Sequence, residues 1–500
     1  MADSPSSNRT HPSGQDQPAL INGKAVWADA ATDVRSPYDG RLLATVPKCT
    51  EDDIDAAVAI AKERLTQASL PTNERALILD RAAVILAERS EEFAQSISAE
   101  AAKPISSART EVQRAVDTIR FSAAAARSLT GEMIPMDASS SGHERLGFTL
   151  RVPIGVVACI SPFNFPLNLV CHKIAPGVAA GVAMVLKPAS ATPLTALMIA
   201  QLFEESGLPP GWLNVITCPG STAQHLVEHR DVSMITFTGS GEVGWSLRSA
   251  VPHKRVGLEL GNSSPVIVEP DADLQLAASC IVTGGFGYSG QTCISVQRVY
   301  AHQSIHDELL GRVTALTAAL PVGDPLDDST VVSSLIDQAA AERVSSWIDE
   351  ALDSGAESMT GRCHPCPAGE SGIAHSPSDT PNNFVEPTVL GKISTDMKVS
   401  CDEVFGPVIG FSSYSSIDEA LSAANSTRYG LQAGVFTSNI STALEAAKRL
   451  DFGGVIINDT SSYRTDQQPY GGVKDSGNTR EGPFHAVQEM TEARTVIIRG

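Results

Sequence analysis

Four things are scarce in this chain, and most of these scarcities close off a class of protein. Aromatic residues fill only 5% of its 500 positions. No stretch approaches the roughly 18 consecutive apolar residues that a membrane span needs, so no membrane partner is expected. Basic side chains are outnumbered, 37 to 57, which leaves a formal charge of −20. Such a surface repels polyphosphate and argues against nucleic acid as a partner; its ordinary role is solubility. Paired cysteines are also missing. The nine present are odd in number and scattered, at Cys49, Cys159, Cys171, Cys218, Cys280, Cys293, Cys363, Cys366 and Cys401. That is no disulfide framework and suits a reducing compartment. The opening Met-Ala-Asp-Ser-Pro-Ser-Ser carries an acid and no apolar segment, so it reads as a polar tail over residues 1–18 rather than a secretory signal. A cytoplasmic protein is expected.

What is present points to a layered α/β protein. Apolar residues make up 42% of the chain, and its length calls for two or three domains. Asn22-Gly23 and Asp39-Gly40 mark two β-hairpins. Thr50-Glu-Asp-Asp caps a helix with Ile54, Ala57 and Val58 on its inner face. Asn73 begins a second, with Leu79, Ala82, Ala83 and Leu86 in a stripe of helical period. A third runs from about Ser106 to Thr130 and carries Arg109, Arg114 and Arg120, which on a helix this polar belong first to a solvated face. After residue 151 short apolar runs alternate with helices. Val156–Ile160, Ala183–Leu186, Leu213–Ile216, Met234–Phe237 and Val256–Glu259 form one set, and Pro265–Val268 and Arg298–Ala301 belong to a second. That alternation implies parallel, two-faced sheets. The alternating ribbon in 131–151 and the C-terminal Glu492–Arg499 read as strands that pair with another subunit. The Gly/Pro/Ser-rich stretch 361–383 holds Cys363, His364 and Cys366, but no second ligand pair at finger spacing, so a surface loop and no metal is expected.

One stretch carries chemistry. Tyr288-Ser-Gly-Gln-Thr-Cys293 sets a cysteine just past a loop with little bulk to shield the sulfur, and Val256-Gly-Leu-Glu259-Leu-Gly261 holds one carboxylate in an apolar run. A thiolate attacks well and a carboxylate activates water, so the two can make and then hydrolyse a thioester. The competing reading is that cysteine behaves as a small buried hydrophobe. Glu259 has a rival reading too. Gly239-Ser240-Gly241-Glu-Val-Gly244 follows a strand and opens a helix, the dinucleotide fingerprint in its expected setting, and an acid about 20 residues on would grip the ribose.

Seven motifs, in order, resemble the aldehyde dehydrogenase superfamily over about residues 20–500. They are Pro162-Phe-Asn164-Phe-Pro166, Lys187-Pro-Ala-Ser190, Phe237-Thr-Gly-Ser240 through Gly244, Leu258-Glu259-Leu-Gly261, Gly290-Gln-Thr-Cys293, Glu403-Val-Phe405-Gly-Pro407 and Pro469-Tyr-Gly-Gly472. The resemblance implies a Rossmann-type cofactor domain from 19–130 and 152–257 and an α/β catalytic domain over 258–466. A small β oligomerisation flap would come from 131–151 and 485–500, with 467–484 returning to the cofactor domain, in a homodimer or homotetramer. It implies Cys293 as nucleophile, Glu259 as general base, and Asn164 with the Cys293 backbone N–H as oxyanion donors. It also implies an NAD(P) site made from Ser161, Pro162, Lys187, Ser190, Gly220, Gly239, Ser240, Gly244, Leu260, Glu403 and Phe405.

Departures from the family pattern refine this. Many NAD-using members have Glu where this chain has Ser190. Serine removes the repulsion of a 2′-phosphate and Lys187 can bind one, so NADP is the favoured form. Asn262-Ser-Ser-Pro265 replaces a Gly-Lys continuation, and Ser476-Gly477-Asn-Thr-Arg480 replaces a more glycine-rich segment. Cys293–Arg298 and Asn458–Asp466 resemble the branch that acts on small polar or anionic aldehydes, such as the lactaldehyde, glyceraldehyde phosphate and phosphonoacetaldehyde dehydrogenases. Arg464, with Arg114 and Arg120, is then the expected grip on an anionic group. Phe165 and Thr292 stand where that branch often has His and Arg, which favours a hydroxy or singly charged aldehyde. Two alternatives stay open: transfer of the thioester to coenzyme A, and a catalytically silent member of the family.

Overall fold

A computed structural model describes residues 16–67, 69–360 and 383–500. The chain opens on a hairpin, β1 (Ala19–Ile21) and β2 (Lys24–Val26), whose turn residues Asn22 and Gly23 both take positive φ, 54° and 68°. That is the hand a two-residue turn needs to match the strand twist. A second hairpin, β3 (Ala31–Arg35) and β4 (Leu42–Pro47), follows. Asp16 bridges Thr45 and the Gln17 N–H donates to the Thr45 carbonyl, so the polar tail read over 1–18 is anchored from residue 16 onward.

Four helices come next: α1 (Glu51–Gln67), α2 (Thr72–Glu88), α3 (Ser90–Ala101) and α4 (Ile105–Ser128). The start of α1 is a capping box, with Thr50 N–H donating to Asp53 at 2.8 Å and Asp53 N–H donating back to the Thr50 hydroxyl at 3.3 Å. A single residue, Arg89, separates α3 from α2, and the junction carries no side-chain cap. Along α4 the buried face runs Ala108, Val112, Ala115, Ile119, Ala123 and Ala126, the helical period expected for packing on α2.

The first large sheet begins after the ribbon β5 (Met133–Ile134) and β6 (Arg145–Pro153). It takes β7 (Val156–Ile160), then α5 (Asn168–Ala180), β8 (Ala183–Lys187), α6 (Leu194–Glu205), β9 (Leu213–Val215) and α7 (Gly220–Glu228). It finishes with β10 (Val232–Thr238), α8 (Gly241–Ala250) and β11 (Arg255–Glu259). Its order is β11-β10-β7-β8-β9-β1-β2, parallel from β11 to β9 and antiparallel at the β1–β2 edge. The chain steps one way from β7 to β9 and the other way to β10 and β11. The reversal opens a crevice at the C-terminal end of β7, where open α/β sheets bind ligands.

The second sheet is built from β12 (Ser264–Val268), α9 (Leu274–Phe286), β13 (Val296–His302), α10 (His306–Ala318), α11 (Gln338–Asp353), β14 (Glu357–Ser358) and β15 (Thr388–Gly391). Completing it are α12 (Lys398–Cys401), β16 (Val408–Tyr414), α13 (Ile417–Asn425), β17 (Gln432–Phe436), α14 (Ile440–Arg449) and β18 (Gly454–Ile457). Its order is β14-β15-β16-β13-β12-β17-β18, parallel except at β14. β7, β8, β12 and β17 are buried at every position, which is why they read as continuous apolar runs. The α/β architecture is the expected one.

The ribbon pairs within the chain. After α15 (Pro483–Glu489), β19 (Thr491–Arg499) pairs antiparallel with β6 along its whole length, Thr491 opposite Pro153 through to Arg499 opposite Arg145. The two strands assigned to intersubunit pairing thus pair with each other, β5 adds a short third strand beside β6, and β19 stands at the edge of this sheet. Residues 485–489, read as part of a strand, close α15 instead. The loop read over 361–383, with Cys363, His364 and Cys366, lies outside the described residues except for Asn383. That side-chain amide donates to the Pro37 and Leu335 carbonyls, at 2.7 Å each. Among the described residues no helix is long and apolar enough to cross a membrane.

Candidate active site

Cys293 is delivered by a strained turn. Tyr288, Ser289 and Gly290 take φ of 51°, 55° and 70° in succession, three left-handed residues between α9 and β13. Holding non-glycine residues there costs on the order of 1–3 kcal/mol each, so the surroundings must over-determine the turn. They do. The Tyr288 hydroxyl donates to the Ala101 carbonyl at 3.1 Å, and the Ser289 hydroxyl donates to the Ser333 carbonyl at 2.8 Å while accepting from the Ser333 N–H. Glycine is required at 290, where a Cβ would lie 2.1 Å from the Gly406 carbonyl oxygen.

The cysteine that follows is half-buried, and its sulfur sits 2.9 Å from the Tyr470 hydroxyl. Burial pushes the thiol up to about 12, and the carboxyls of Glu403 and Glu259 reinforce that against the pull of Tyr470 and Arg464. The sequence led us to expect an ionised sulfur; the structure holds it neutral. The reason is burial, which outweighs the pull of Arg464, a cation itself bound to Glu481 at 2.9 Å.

Glu259 ends β11 opposite Thr238 of β10, at the point where the chain crosses to the second sheet. Its carboxyl is buried, and neither oxygen has a hydrogen-bond partner. Gly471 comes close enough that a Cβ there would sit 2.7 Å from Glu259 Oε1. Burial, then the neighbouring Glu481, push Glu259 well above the usual carboxyl range. Burial also works against ionisation of Glu481, but Arg464, His172 and Lys173 hold it down at about 2. One proton and one negative charge are thus divided between two carboxyls, with Glu259 neutral and Glu481 charged. Asn164, buried just beyond the end of β7, donates from Nδ2 to the Gln291 carbonyl at 2.9 Å, which docks it on the turn that carries Cys293.

Behind this group lies a polar network that the sequence reading did not find. Lys173 on α5 donates to Thr238 at 2.6 Å and lies 3.7 Å from Glu481. Its neighbour His172 meets Asp466 at 3.0 Å and Arg464 at 3.2 Å. A signal was available. Every residue of α5 is buried, so a His-Lys pair inside Leu-Val-Cys-His-Lys-Ile-Ala has to be paired internally.

The expected anion grip is arranged differently from its prediction. Arg114 makes two hydrogen bonds to Asp466, at 2.9 and 3.1 Å, and Arg464 is committed to Glu481 and stacked over Tyr470. Arg120 does not join them. Six steps of about 100° along α4 turn it roughly 120° away from Arg114, and it is exposed beside Asp117 at 3.5 Å. Phe165 lies under the Lys103 ammonium, 3.5 Å from the ring centre. Thr292 is half-buried, next to Cys293.

Most of the residues expected at the cofactor site follow strands of the first sheet, and Glu403 and Phe405 precede β16 of the second. Ser161, at the end of β7, has a buried hydroxyl without a hydrogen-bond partner. Lys187 ends β8 with its ammonium 3.5 Å from the Ser190 hydroxyl, and burial lowers its proton affinity. Beside them opens a cavity of about 250 Å³ lined by Lys48, Ala189, Ser190, Cys218 and Pro219. Gly220 opens α7 with nothing within 4 Å of its Cβ position. Gly239 donates to the Glu259 carbonyl, Ser240 precedes α8, and Gly244 lets α8 lie against Leu260, whose Cδ2 a Cβ would meet at 2.5 Å. Pro162 lies in the same segment as Ser161. Glu403 accepts from the Asn262 N–H at 3.0 Å, and burial lifts its carboxyl to about 7. Phe405 packs edge-on to Phe163 with ring centres 5.8 Å apart.

Comparison with known proteins meets this geometry from the other side. A family profile described as the aldehyde dehydrogenase family matches residues 27–496. The chain is 43% identical over 479 residues to the 3-sulfolactaldehyde dehydrogenase of Priestia aryabhattai, covering 96% of this chain and 97% of that one. Among solved structures it resembles aldehyde dehydrogenase 21 from Physcomitrella patens in complex with the reaction product succinate. That likeness has a TM-score of 0.91 and 35% identity, over 98% of this chain and 99% of that one. It also resembles the NADP-dependent glyceraldehyde-3-phosphate dehydrogenase of Bacillus halodurans C-125 complexed with NADP, with a TM-score of 0.90 and 34% identity over 97% and 99%. The chain belongs to the aldehyde dehydrogenase family.

Proposed function

We propose that this protein oxidises a small aldehyde carrying a hydroxyl or a single anionic group to its carboxylic acid, with NAD(P) as oxidant and Cys293 as nucleophile. The observation that carries the reading is the pairing of a half-buried cysteine with a buried, unpartnered carboxyl within one charge network. The crevice residues fit a dinucleotide. Ser161 offers an unused buried hydroxyl, the start of α7 at Gly220 is open for close backbone approach, and Gly244 seats α8 against Leu260. Lys187 and Ser190 would hold the adenosine ribose and Glu403 the nicotinamide ribose, with Phe405 beside the ring.

The sulfur releases its proton to solvent water and bonds to the carbonyl carbon, and the electron pair of the carbonyl moves to oxygen. Asn164 Nδ2 and the Cys293 N–H stabilise that oxyanion. When bound, NAD(P) supplies the hydride acceptor whose action leaves a thioester on Cys293. The ionised fraction of Glu259 then takes a proton from water, hydroxide displaces the thiolate, and Glu481 with Lys173 offers an exit for the proton. The commitment of Arg114 and Arg464 to Asp466 and Glu481 favours a singly charged or hydroxy substrate over a doubly charged one. The relatives support an anionic group, since their names carry a sulfonate, a succinate product and a phosphate.

Hydrolysis is favoured over transfer to coenzyme A because transfer needs no water-activating carboxyl, whereas Glu259 is retained without any structural partner. We read the protein as a cytoplasmic homo-oligomer, the three-stranded ribbon leaving Ile497 and Ile498 half exposed for a second copy. The test is absorbance at the reduced-nicotinamide band with aldehydes that differ only in terminal charge. Turnover with hydroxy or singly charged members supports the proposal. A flat trace across the panel points to a silent protein, and a requirement for coenzyme A points to the acylating reaction.

NADP is the favoured form, because Ser190 carries no charge and Lys187 stands 3.5 Å away. Ser190→Glu is expected to shift the ratio of kcat/KM values toward NAD by on the order of 10- to 100-fold, through repulsion of the 2′-phosphate. An unchanged ratio in the two-cofactor comparison would remove this electrostatic account.

A further inference from the structure

We propose that the Tyr470 hydroxyl is a catalytic hydrogen-bond donor to the Cys293 sulfur, held on it by the Arg464 guanidinium stacked over its ring. The inference deepens the reading of Cys293 as nucleophile and rests on it.

Three observations fix the hydroxyl in place. It lies 2.9 Å from Cys293 Sγ. The ring is 3% exposed and shares an apolar cluster with Ile294 and Leu431, so it has no other direction to turn. Its backbone is pinned on both sides, the Tyr470 N–H donating to the Glu481 carbonyl at 3.1 Å and the Glu481 N–H donating back at 2.6 Å. Arg464 closes the arrangement with its guanidinium carbon 3.7 Å from the ring centre, itself fixed by Glu481 at 2.9 Å and His172 at 3.2 Å. A cation over the ring face draws electron density from the phenol and strengthens it as a donor.

Direction follows from chemistry. Burial keeps the phenol protonated far above its ordinary range, so Tyr470 always presents an O–H. Once the sulfur has given up its proton, only Tyr470 of the two can donate. The ionisable groups facing the sulfur are Glu259 at the end of β11, Glu403 ahead of β16, and Arg464 and Tyr470 after β18. The two carboxyls oppose a thiolate, and the charge of Arg464 is shared with Glu481. The hydroxyl in direct contact is therefore the main local support for the ionised nucleophile. When Sγ bonds to the carbonyl carbon, its negative charge passes to the carbonyl oxygen and this hydrogen bond weakens. Tyr470 thus sets how much thiolate is ready and does not stabilise the later oxyanion.

The test is alkylation of Cys293 by iodoacetamide in the full-length protein, located by peptide mass and followed over a pH range below the thiol midpoint. Losing a hydrogen bond to a charged group raises a thiol by about one to two pH units. The less stabilised thiolate is also more nucleophilic, with a Brønsted slope of about 0.4–0.5. Tyr470→Phe is therefore expected to slow alkylation by roughly 3- to 15-fold at each pH, with an unchanged slope of log rate against pH. Tyr470→3-fluorotyrosine keeps the shape and makes the phenol more acidic, so alkylation should be faster. This arm stands even if the phenylalanine variant folds poorly, and a purely structural tyrosine would not produce the opposed pair of shifts. Equal rates in wild type and the fluorinated protein, or in wild type and a folded Tyr470→Phe protein, overturn the proposal. Full alkylation of Cys293 with aldehyde oxidation intact would instead overturn its role as nucleophile, whatever the tyrosine variants do.

Discussion

Alanine at position 293 should abolish aldehyde oxidation while leaving the dinucleotide bound. The expected loss in kcat is about 10⁴-fold or more, because covalent attack has no substitute in the surrounding side chains. Tyr470 stays protonated, and Glu259 is a poor nucleophile in its neutral form. Cofactor affinity should stay within about twofold, since the residues read as holding the nucleotide, from Ser161 to Gly244, make none of their hydrogen bonds to this sulfur. Titration by nicotinamide fluorescence measures that affinity, and steady-state absorbance measures turnover. The turn that carries the residue is held by Tyr288, Ser289 and Gly290, so folding should be little changed and the melting temperature checks it. Cys293→Ala turning over within tenfold of wild type would sink the nucleophile assignment. Lost cofactor binding with a normal melt would show that the sulfur helps to build the crevice.

Which parts of this molecule could be read beforehand depends on how far apart the cooperating residues lie. Local signals carried well. Asn22-Gly23 makes its turn, Thr50 and Asp53 cap α1, and the runs that became β7, β8 and β12 are apolar because both faces are covered. The motifs also singled out Glu259 and Cys293 as a reacting pair. What failed depended on partners distant in sequence. The Arg114–Asp466 pair spans 352 positions and the Cys293–Tyr470 contact spans 177, and no periodicity reports such meetings. Arg120 was grouped with Arg114 by residue type, although helix geometry turns it to the outside. The ribbon was recognised as strand, but that β6 and β19 of one chain pair residue for residue was not, since their meeting too is distant in sequence. Ionisation was the other blind spot. The charge state of a thiol or carboxyl is set by what is packed around it, and for Cys293 and Glu259 burial decides it.

That burial shapes the second large effect, in Glu259→Gln. The variant should release about one equivalent of reduced nicotinamide per active site in a fast burst and then turn over roughly 10²- to 10⁴-fold more slowly, because the thioester forms but its hydrolysis lacks a base. Glutamine suits the test, since the wild-type carboxyl is neutral in the resting site and neither oxygen holds a partner whose loss would disturb the fold. The pH dependence adds a sign. A carboxyl raised above its ordinary range binds its proton more tightly in the native state than in the unfolded chain. Its ionisation therefore lowers stability as pH climbs from the ordinary carboxyl range toward the raised value. Over the same rise the fraction able to act as base grows. Wild-type hydrolysis should then accelerate with pH through the Glu259 titration, whereas the glutamine variant should show no rise from that group and should lose that part of the pH-dependent destabilisation. Rapid-mixing absorbance across pH measures the first, and melting curves of both proteins measure the second. A variant with no burst and weakened NAD(P) binding would instead make Glu259 the ribose ligand that the Gly239–Gly244 fingerprint suggests, and hydrolysis would need another base. The geometry argues against that outcome, because the Glu259 carboxyl is turned toward Gly471 and its proton is set by Glu481 and Arg464, on the side of the sulfur.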